Sequence, residues 1–149
     1  MANSKMLPPS YFFLTIALMA CLHLLLPVAR VINYPFTLIG IIPLFVGTLL
    51  NLLADKALKD YKTTVKPFME STTLITTGVY RLCRHPMYLG MALILLGLAS
   101  FLGSLSPFVA IAVFVILMEQ NFLRVEEQML EMKFGQQWLE YKQRVRRWI

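Results

Sequence analysis

Charged side chains are scarce in this chain of 149 residues. Only 15% of the residues are Asp, Glu, Lys or Arg, whereas a soluble domain has roughly 25%. Hydrophobic residues make up 58%. A chain with so little charge lacks the polar surface of an ordinary soluble domain, so its composition predicts a membrane protein.

Acidic residues are the scarcer of the charged types, with 8 Asp and Glu against 14 Lys and Arg, a formal net charge of +6. Nucleic acid would attract such an excess, but no nucleic-acid recognition module is visible in the sequence. The basic residues instead adjoin the apolar stretches. We therefore expect them to face anionic lipid headgroups, and we predict no nucleic-acid partner.

Cysteine and histidine are each present only twice. Cys21 lies inside an apolar stretch and Cys83 in a polar one, so neither position nor compartment favours a disulfide between them. No group of Cys and His has the spacing of a metal site, and no metal is predicted. A glycine-rich loop of the kind that cradles phosphates is missing as well.

Four apolar stretches are present, and a helix needs roughly 20 residues to cross the hydrocarbon core. They predict an all-α integral membrane protein, with residues 1–149 forming one membrane domain. The short link Gly103 to Ser106 makes the third and fourth stretches a helical hairpin. The predicted spans cover about residues 11–29, 36–54, 87–102 and 107–118.

The distribution of Lys and Arg predicts the orientation of these spans. Basic residues gather between spans two and three and after span four, on the side that Lys5 shares, and only Arg30 lies opposite. Because positive residues favour the cytoplasm, both termini are expected there. The polar segments 60–90 and 119–149 are then cytoplasmic too, and they are the candidates for cofactor binding.

The C-terminal segment has the spacing of an amphipathic helix. Its apolar residues recur at intervals of four and three, which places them on one helical stripe: Phe134, Trp138, Tyr141, Val145 and Trp148. A stripe with two tryptophans beside a basic face is typical of a helix that lies at the membrane interface. A helix that binds a partner protein would have the same pattern.

Glycines recur seven residues apart in two of the spans. Gly40 and Gly47 lie in the second span, and Gly90 and Gly97 in the third. Each pair falls on one helical face, where a neighbouring helix can approach closely. This pattern indicates packing.

Polar residues at the start of the third span are candidates for chemistry. In Arg84-His85-Pro86, the proline suits a first helical turn, and the free N–H groups of that turn favour an anionic or acceptor-rich ligand. Arg81 and Arg84 are sufficiently explained as headgroup anchors, with possible pairing to Glu127. Headgroup anchoring together with a capping histidine is the alternative for the whole tripeptide.

A second polar group follows the fourth span. Glu119 and Glu126 are seven residues apart and share a helical face, whereas Glu127 is rotated by about 100° from Glu126. One acid of the pair is expected to enter a pocket, while the other meets Arg81, Arg84 or solvent. A solvated helix face is the alternative. The predicted hairpin brings this group and the threonine-rich run before Gly78 to the same end of the molecule.

The stretch GVYRLCRHPMYLG, followed after the hairpin by VEEQMLEMKFGQQWLEYKQRVRRWI, resembles the isoprenylcysteine carboxyl methyltransferases. These integral-membrane enzymes use S-adenosylmethionine and are related to the phospholipid N-methyltransferases. The resemblance extends over about residues 60–149. It implies S-adenosylmethionine as methyl donor in a site that faces the cytoplasm.

The resemblance also implies the site residues. His85, Glu126 and Glu127 are the candidates for catalysis. In this reading Glu126 accepts hydrogen bonds from the cofactor, His85 and the first-turn amides hold its carboxylate end, and the two tyrosines pack beside adenine or the sulfonium. The cofactor-binding positions implied are Thr72, Thr73, Leu74, Ile75, Tyr80, His85, Pro86, Met87, Tyr88 and Glu126.

The acceptor implied is a membrane lipid or another lipophilic or lipid-anchored molecule, with an isoprenylcysteine-like carboxylate or a phospholipid-like amine. Family members that act on prenylated cysteine carry an arginine one helical turn before the first acid, and here that position is Phe122. The resemblance therefore does not carry the prenylcysteine acceptor over to this chain. The small number of spans leaves a homo-oligomer open.

Two other functions compete with this reading. Distantly similar membrane folds are reductases that use NADPH, although the missing glycine-rich loop counts against that cofactor. A small non-enzymatic membrane subunit with a basic docking face is the other alternative, and it leaves His85, Tyr88 and Glu126 without a role.

Overall fold

A computed structural model of the protein describes residues 7–63 and 72–149. Six α-helices, two short 3-10 helices and one π-helical turn make up its secondary structure. The α-helices are α1 Pro8–Leu25, α2 Ile41–Asp60, α3 Pro86–Leu102, α4 Ser106–Met118, α5 Arg124–Phe134 and α6 Gln136–Arg144. Lys5 and Lys66, which the orientation prediction uses, lie outside the described residues, as does part of the predicted segment 60–90.

Three of the described helical stretches are long and apolar enough to cross a membrane, namely Pro8–Leu25, Phe36–Asp60 and Ser106–Phe134. Pro86–Leu102 is apolar but shorter. The prediction of an all-α membrane protein is confirmed. Span one ends at Leu25 instead of residue 29, because the backbone before Pro27 is disfavoured in the α conformation.

Helix α2 and the 3-10 helix before it, Phe36–Gly40, pack against α3 through the four spaced glycines. A Cβ atom at Gly40 would lie 2.6 Å from the carbonyl oxygen of Gly97, and one at Gly47 would lie 2.5 Å from that of Gly90. The glycines of α3 show the same close approach, since a Cβ at Gly97 would lie 2.6 Å from the Gly40 carbonyl oxygen. The prediction that these glycines serve close helix packing is confirmed.

The end of the bundle opposite His85 is closed by backbone hydrogen bonds. Gly103 ends α3 with a left-handed backbone (φ 72°), and its carbonyl accepts hydrogen bonds from the N–H groups of Val31 (2.8 Å) and Ile32 (3.1 Å). The Leu105 N–H donates to the Ala29 carbonyl at 3.0 Å, and His23 Nδ1 lies 2.7 Å from Ser104 Oγ. The α1–α2 loop is thereby tied to the α3–α4 turn.

Helix α4 continues into α5 through one π-helical turn, Glu119–Leu123. A π turn takes one residue more than an α turn because its hydrogen bonds span five residues. Glu119 and Glu127, eight residues apart, therefore lie where residues seven apart would lie in an unbroken α-helix. The sequence-based pairing of Glu119 with Glu126 on one face is wrong for this reason.

The C-terminal segment is two helices followed by an extended end. Gly135 separates α5 from α6 with φ 50° and ψ −119°, and Val145 after α6 is extended. Trp138 is 1% exposed and Tyr141 is 4% exposed, so both residues pack on protein. The expectation of one continuous helix is wrong, because the chain turns at Gly135. The interfacial position of the segment stays a prediction.

The glycine packing predicts that Gly47→Leu weakens the bundle. Its Cβ would meet the Gly90 carbonyl oxygen at 2.5 Å and the Leu93 Cβ at 2.9 Å, so α2 and α3 have to separate. We expect a loss of about 1–3 kcal/mol in the free energy of unfolding, the usual range for overpacking. Thermal unfolding in detergent measures the loss.

The matched control is Val46→Leu, which adds one methylene group to a side chain that is 41% exposed on the same helix. Its unfolding should match that of the wild type. Equal melting temperatures for the Gly47 and Val46 variants would contradict the close packing.

Candidate active site

The polar residues at the start of α3 adopt their places because of Pro86. Proline at the first helical position keeps the preceding residue out of the helical region, and His85 accordingly has φ −126° and ψ 63°. Its carbonyl accepts the first helical hydrogen bond, from Leu89 N–H at 3.1 Å. The His85 side chain makes no capping bond, so the imidazole is available to α5.

Glu127 on α5 is the centre of the polar cluster. Its carboxylate is only 6% exposed. Oxygen Oε1 lies 3.2 Å from His85 Nε2 and 3.2 Å from Arg84 Nη2. The pairing of Arg84 with Glu127 is as the sequence suggested. Arg84 is not a headgroup anchor, however, because its side chain is only 8% exposed.

Arg147 supplies the remaining charge from the C-terminal end. Its Nε donates to Glu127 Oε1 at 3.0 Å and its Nη2 donates to Glu127 Oε2 at 2.6 Å. Its Nη1 donates to Glu119 Oε1 at 2.8 Å. In one continuous helix Arg147 would lie on the basic face opposite the apolar stripe, but the helix ends at Arg144 and the side chain reaches Glu119 and Glu127.

These contacts decide the ionisation of Glu127. Burial alone would raise the pKa of its carboxyl, but the hydrogen bonds from His85 and Arg147 and the charge of Arg84 lower that pKa to about 2. Glu127 is therefore an anion at neutral pH. A carboxylate with such a low pKa and several donors is a weak base, which argues against Glu127 as the base.

Glu126 occupies a different environment from its neighbour. Its carboxylate is 38% exposed and accepts a hydrogen bond from the Tyr88 hydroxyl at 3.4 Å. His85 Nδ1 lies 3.9 Å from Glu126 Oε2. The imidazole thus stands between the two acids, with Nε2 toward Glu127 and Nδ1 toward Glu126.

Tyr80 completes the group around Glu126. Burial, followed by the negative charge of Glu126, raises the pKa of the Tyr80 hydroxyl, which keeps it protonated at neutral pH. The Tyr80 carbonyl accepts a hydrogen bond from the Tyr141 hydroxyl at 2.6 Å. Next to it, the Arg84 guanidinium stacks on the Trp138 ring, 5.7 Å from the ring centroid. Helix α6 therefore supports the segment that leads into α3.

The threonine-rich segment holds the remaining predicted residues. Thr72 and Thr73 are exposed, Leu74 is half-buried, and Ile75 is buried. Thr72 is bound to the end of α2, where its Oγ1 donates to the Lys62 carbonyl at 3.3 Å. The described contacts thus bring together His85, Tyr88, Glu126 and Glu127, and the charge of Glu126 acts on Tyr80. Thr72 is tied instead to Lys62, just after α2. Pro86 is buried and Met87 half-buried in the first turn of α3.

Phe122 stands at the position where the resemblance led us to look for an arginine. It is fully buried, and its ring meets that of Tyr11 edge to face, with centroids 5.6 Å apart. The aromatic pair belongs to the apolar core that joins α1 to α4. The position therefore carries packing in this protein.

A family model of phospholipid methyltransferases matches residues 36–137. The chain belongs to the phospholipid methyltransferase family. The matched residues include α2, α3, the hairpin and α5, and so contain His85, Tyr88, Glu126 and Glu127. Arg147 lies beyond them.

Three curated relatives are similar to parts of this chain. The chain is 40% identical over 63 residues to an uncharacterised protein of Haemophilus influenzae, covering 42% of this chain and 100% of that protein. It is 36% identical over 75 residues, half of this chain, to the cobalt-zinc-cadmium resistance protein CzcN of Cupriavidus metallidurans. It is 37% identical over 76 residues, 51% of this chain, to protein-S-isoprenylcysteine O-methyltransferase B of Arabidopsis thaliana.

The last two matches cover only 34% and 39% of those proteins. The family and the several apolar helices of membrane-spanning length indicate a multi-pass membrane protein of the methyltransferase type.

The cluster predicts that Glu127→Gln destabilises the protein. Removing this charge leaves Arg84 buried without its anion, and breaking a buried pair costs about 3–5 kcal/mol. Because the pKa of Glu127 is lowered from 4.5 to about 2, the stabilisation is complete above pH 4.5 and disappears as the pH falls through about 2. Thermal unfolding of both proteins between pH 7 and pH 3 measures the difference.

Glu126→Gln is the matched control, since it makes the same change one residue earlier on a carboxylate that is 38% exposed. We expect it to change the free energy of unfolding by no more than about 0.5 kcal/mol. If Glu127→Gln were as stable as Glu126→Gln at pH 7, the central role of Glu127 would be wrong.

Proposed function

We propose that this protein transfers a methyl group from S-adenosylmethionine to a lipophilic or lipid-anchored acceptor at the membrane surface. One observation carries the proposal. Glu126, an accessible acid, stands beside Tyr88 and His85 where the apolar helix α3 begins. That boundary is where a polar cofactor and an apolar acceptor can both be bound, and family membership supports the same reaction.

The residues present fit S-adenosylmethionine by their chemistry. Ribose hydroxyls are donors, and the Glu126 carboxylate is an acceptor with part of its surface open. The methionine carboxylate is an anion, which suits the free N–H groups at the start of α3. The sulfonium cation suits the faces of Tyr80 and Tyr88 and the nearby charge of Glu126. When bound, the cofactor supplies an activated methyl group.

The contribution of the protein is alignment and exclusion of water. His85 and Tyr88, whose rings lie edge to face with centroids 5.8 Å apart, fix one wall of the site. A carboxylate acceptor is already nucleophilic at neutral pH and needs no base. An amine acceptor has to lose a proton. The Glu126 carboxylate is the base placed to receive it, because Glu127 is a paired anion with a lowered pKa.

The acceptor is proposed to be a lipophilic molecule with an amine or a carboxylate at its polar end. The apolar pair of Phe122 and Tyr11 supports an acceptor whose recognition does not rely on an arginine at that position. The basic residues around both polar segments support a site that faces the cytoplasm, with anionic headgroups beside it.

Calorimetric titration of the purified protein in detergent tests the proposal. S-adenosylmethionine, S-adenosylhomocysteine and NADPH are titrated separately. We expect saturable binding of the first two. Saturable binding of NADPH alone would favour the reductase instead, and binding of none of them would favour a non-enzymatic subunit. A lipid extract incubated with labelled methyl donor then identifies the acceptor.

Glu126→Gln tests the site itself. The amide keeps the size of the side chain but loses the charge-assisted acceptor, so affinity for S-adenosylhomocysteine should fall about tenfold or more. The matched control is Glu131→Gln on the same helix, where the acid is 46% exposed and contacts Lys142 at 3.4 Å. Equal affinities for the two variants would place the cofactor elsewhere.

A further inference from the structure

The end of the chain returns to the cluster at Glu127. After α6 the backbone at Val145 is extended, and the carbonyl of Arg146 accepts a hydrogen bond from the Arg84 N–H at 3.0 Å. Trp148 packs against the apolar core. The residues before and after Arg147 are therefore both fixed, and they hold Arg147 beside Glu127.

The guanidinium of Arg147 holds the Glu127 carboxylate by both oxygens. The two bonds, from Nε at 3.0 Å and from Nη2 at 2.6 Å, form the fork-to-fork arrangement that gives carboxylates a defined orientation. The third nitrogen, Nη1, binds Glu119 at 2.8 Å. Because the π turn brings Glu119 and Glu127 to the same side of the helix, one guanidinium reaches both acids.

The orientation of the Glu127 carboxylate also affects the His85 imidazole, which lies within hydrogen-bond distance of it. Glu127 is ionised and can only accept hydrogen bonds, so His85 Nε2, 3.2 Å from Oε1, is the nitrogen that carries a proton. In the neutral imidazole the other nitrogen, Nδ1, is then an acceptor, and it faces the side of Glu126. The choice of tautomer follows from the hydrogen bond that the far nitrogen makes.

We propose that Arg147 is a positioning residue of the active site: by fixing the Glu127 carboxylate, it sets the tautomer and the ring orientation of His85. The importance of this for catalysis rests on the proposed function, whereas the effect on His85 does not. The residue lies outside the part of the chain that the family model matches.

A purely structural role for Arg147 makes a different prediction. In that case its loss would lower stability and leave the His85 tautomer as it is. Nitrogen NMR separates the two roles, because the ring nitrogens of the two tautomers differ in chemical shift. The chain contains only two histidines, and a His23→Asn variant assigns the signals.

The test compares Arg147→Gln with Arg144→Gln in detergent, using protein with ¹⁵N-labelled histidine. Arg144 is the matched control, since its side chain is 75% exposed and its Nη2 is 4.0 Å from the carboxylate of Glu140. For the wild type and the control we expect the Nε2–H tautomer of His85. For Arg147→Gln we expect a mixture of tautomers and about tenfold weaker binding of S-adenosylhomocysteine, the effect of one hydrogen bond to a charged group.

An unchanged His85 spectrum in folded Arg147→Gln would overturn the proposal. If that variant does not fold, Arg147→Lys replaces it, since lysine keeps the charge and lacks the fork. A mixed tautomer in Arg147→Lys supports the proposal, and the wild-type tautomer there contradicts it. If the wild type binds no S-adenosyl compound while Arg147 variants still change the tautomer, the proposed function fails and the inference about Arg147 stands.

Discussion

A buried carboxylate is stable only when it is paired, and the site of this protein depends on that requirement. Glu127 is held by Arg84, His85 and Arg147, which come from the start of α3 and from the last residues of the chain. Arg147 extends the same pairing to Glu119 on the π turn. Three segments that are distant in sequence are thereby fixed to one another, because each would leave an uncompensated charge if it moved away.

The pairing of Glu127 also gives the two neighbouring acids separate properties. Glu127 stays ionised at neutral pH because its charge is paired by His85, Arg147 and Arg84. Glu126, one residue earlier, points to the more exposed side and meets Tyr88. Two identical side chains thus become a structural anion and an accessible acceptor. The glycine contacts between α2 and α3 also support this arrangement, because they fix the position of the helix that begins at His85 and contains Tyr88.

Much of the fold was predictable from sequence, because apolar length and glycine spacing report directly on helices and on their packing. The contact of His85 with an acid of α5 was also predictable, because the short hairpin places the start of α3 and the end of α4 at the same end of the molecule. The π turn was not, since its residues have no pattern that separates them from an α-helix. The place of Arg147 was hidden as well, because a regular spacing of apolar residues continues through Gly135 and Val145, where the helix stops.

The two helices that meet at the site differ in length and in polarity. Helix α3 has 17 residues, which extend over about 26 Å, somewhat less than the roughly 30 Å of a hydrocarbon core. The helical stretch Ser106–Phe134 beside it has 29 residues, or about 43 Å. The added length is polar, because Ser106–Met118 has no charged residue whereas Arg124–Phe134 carries five. The longer helix therefore continues past its apolar part into a charged segment, and the start of the shorter helix meets that segment through His85 and Tyr88.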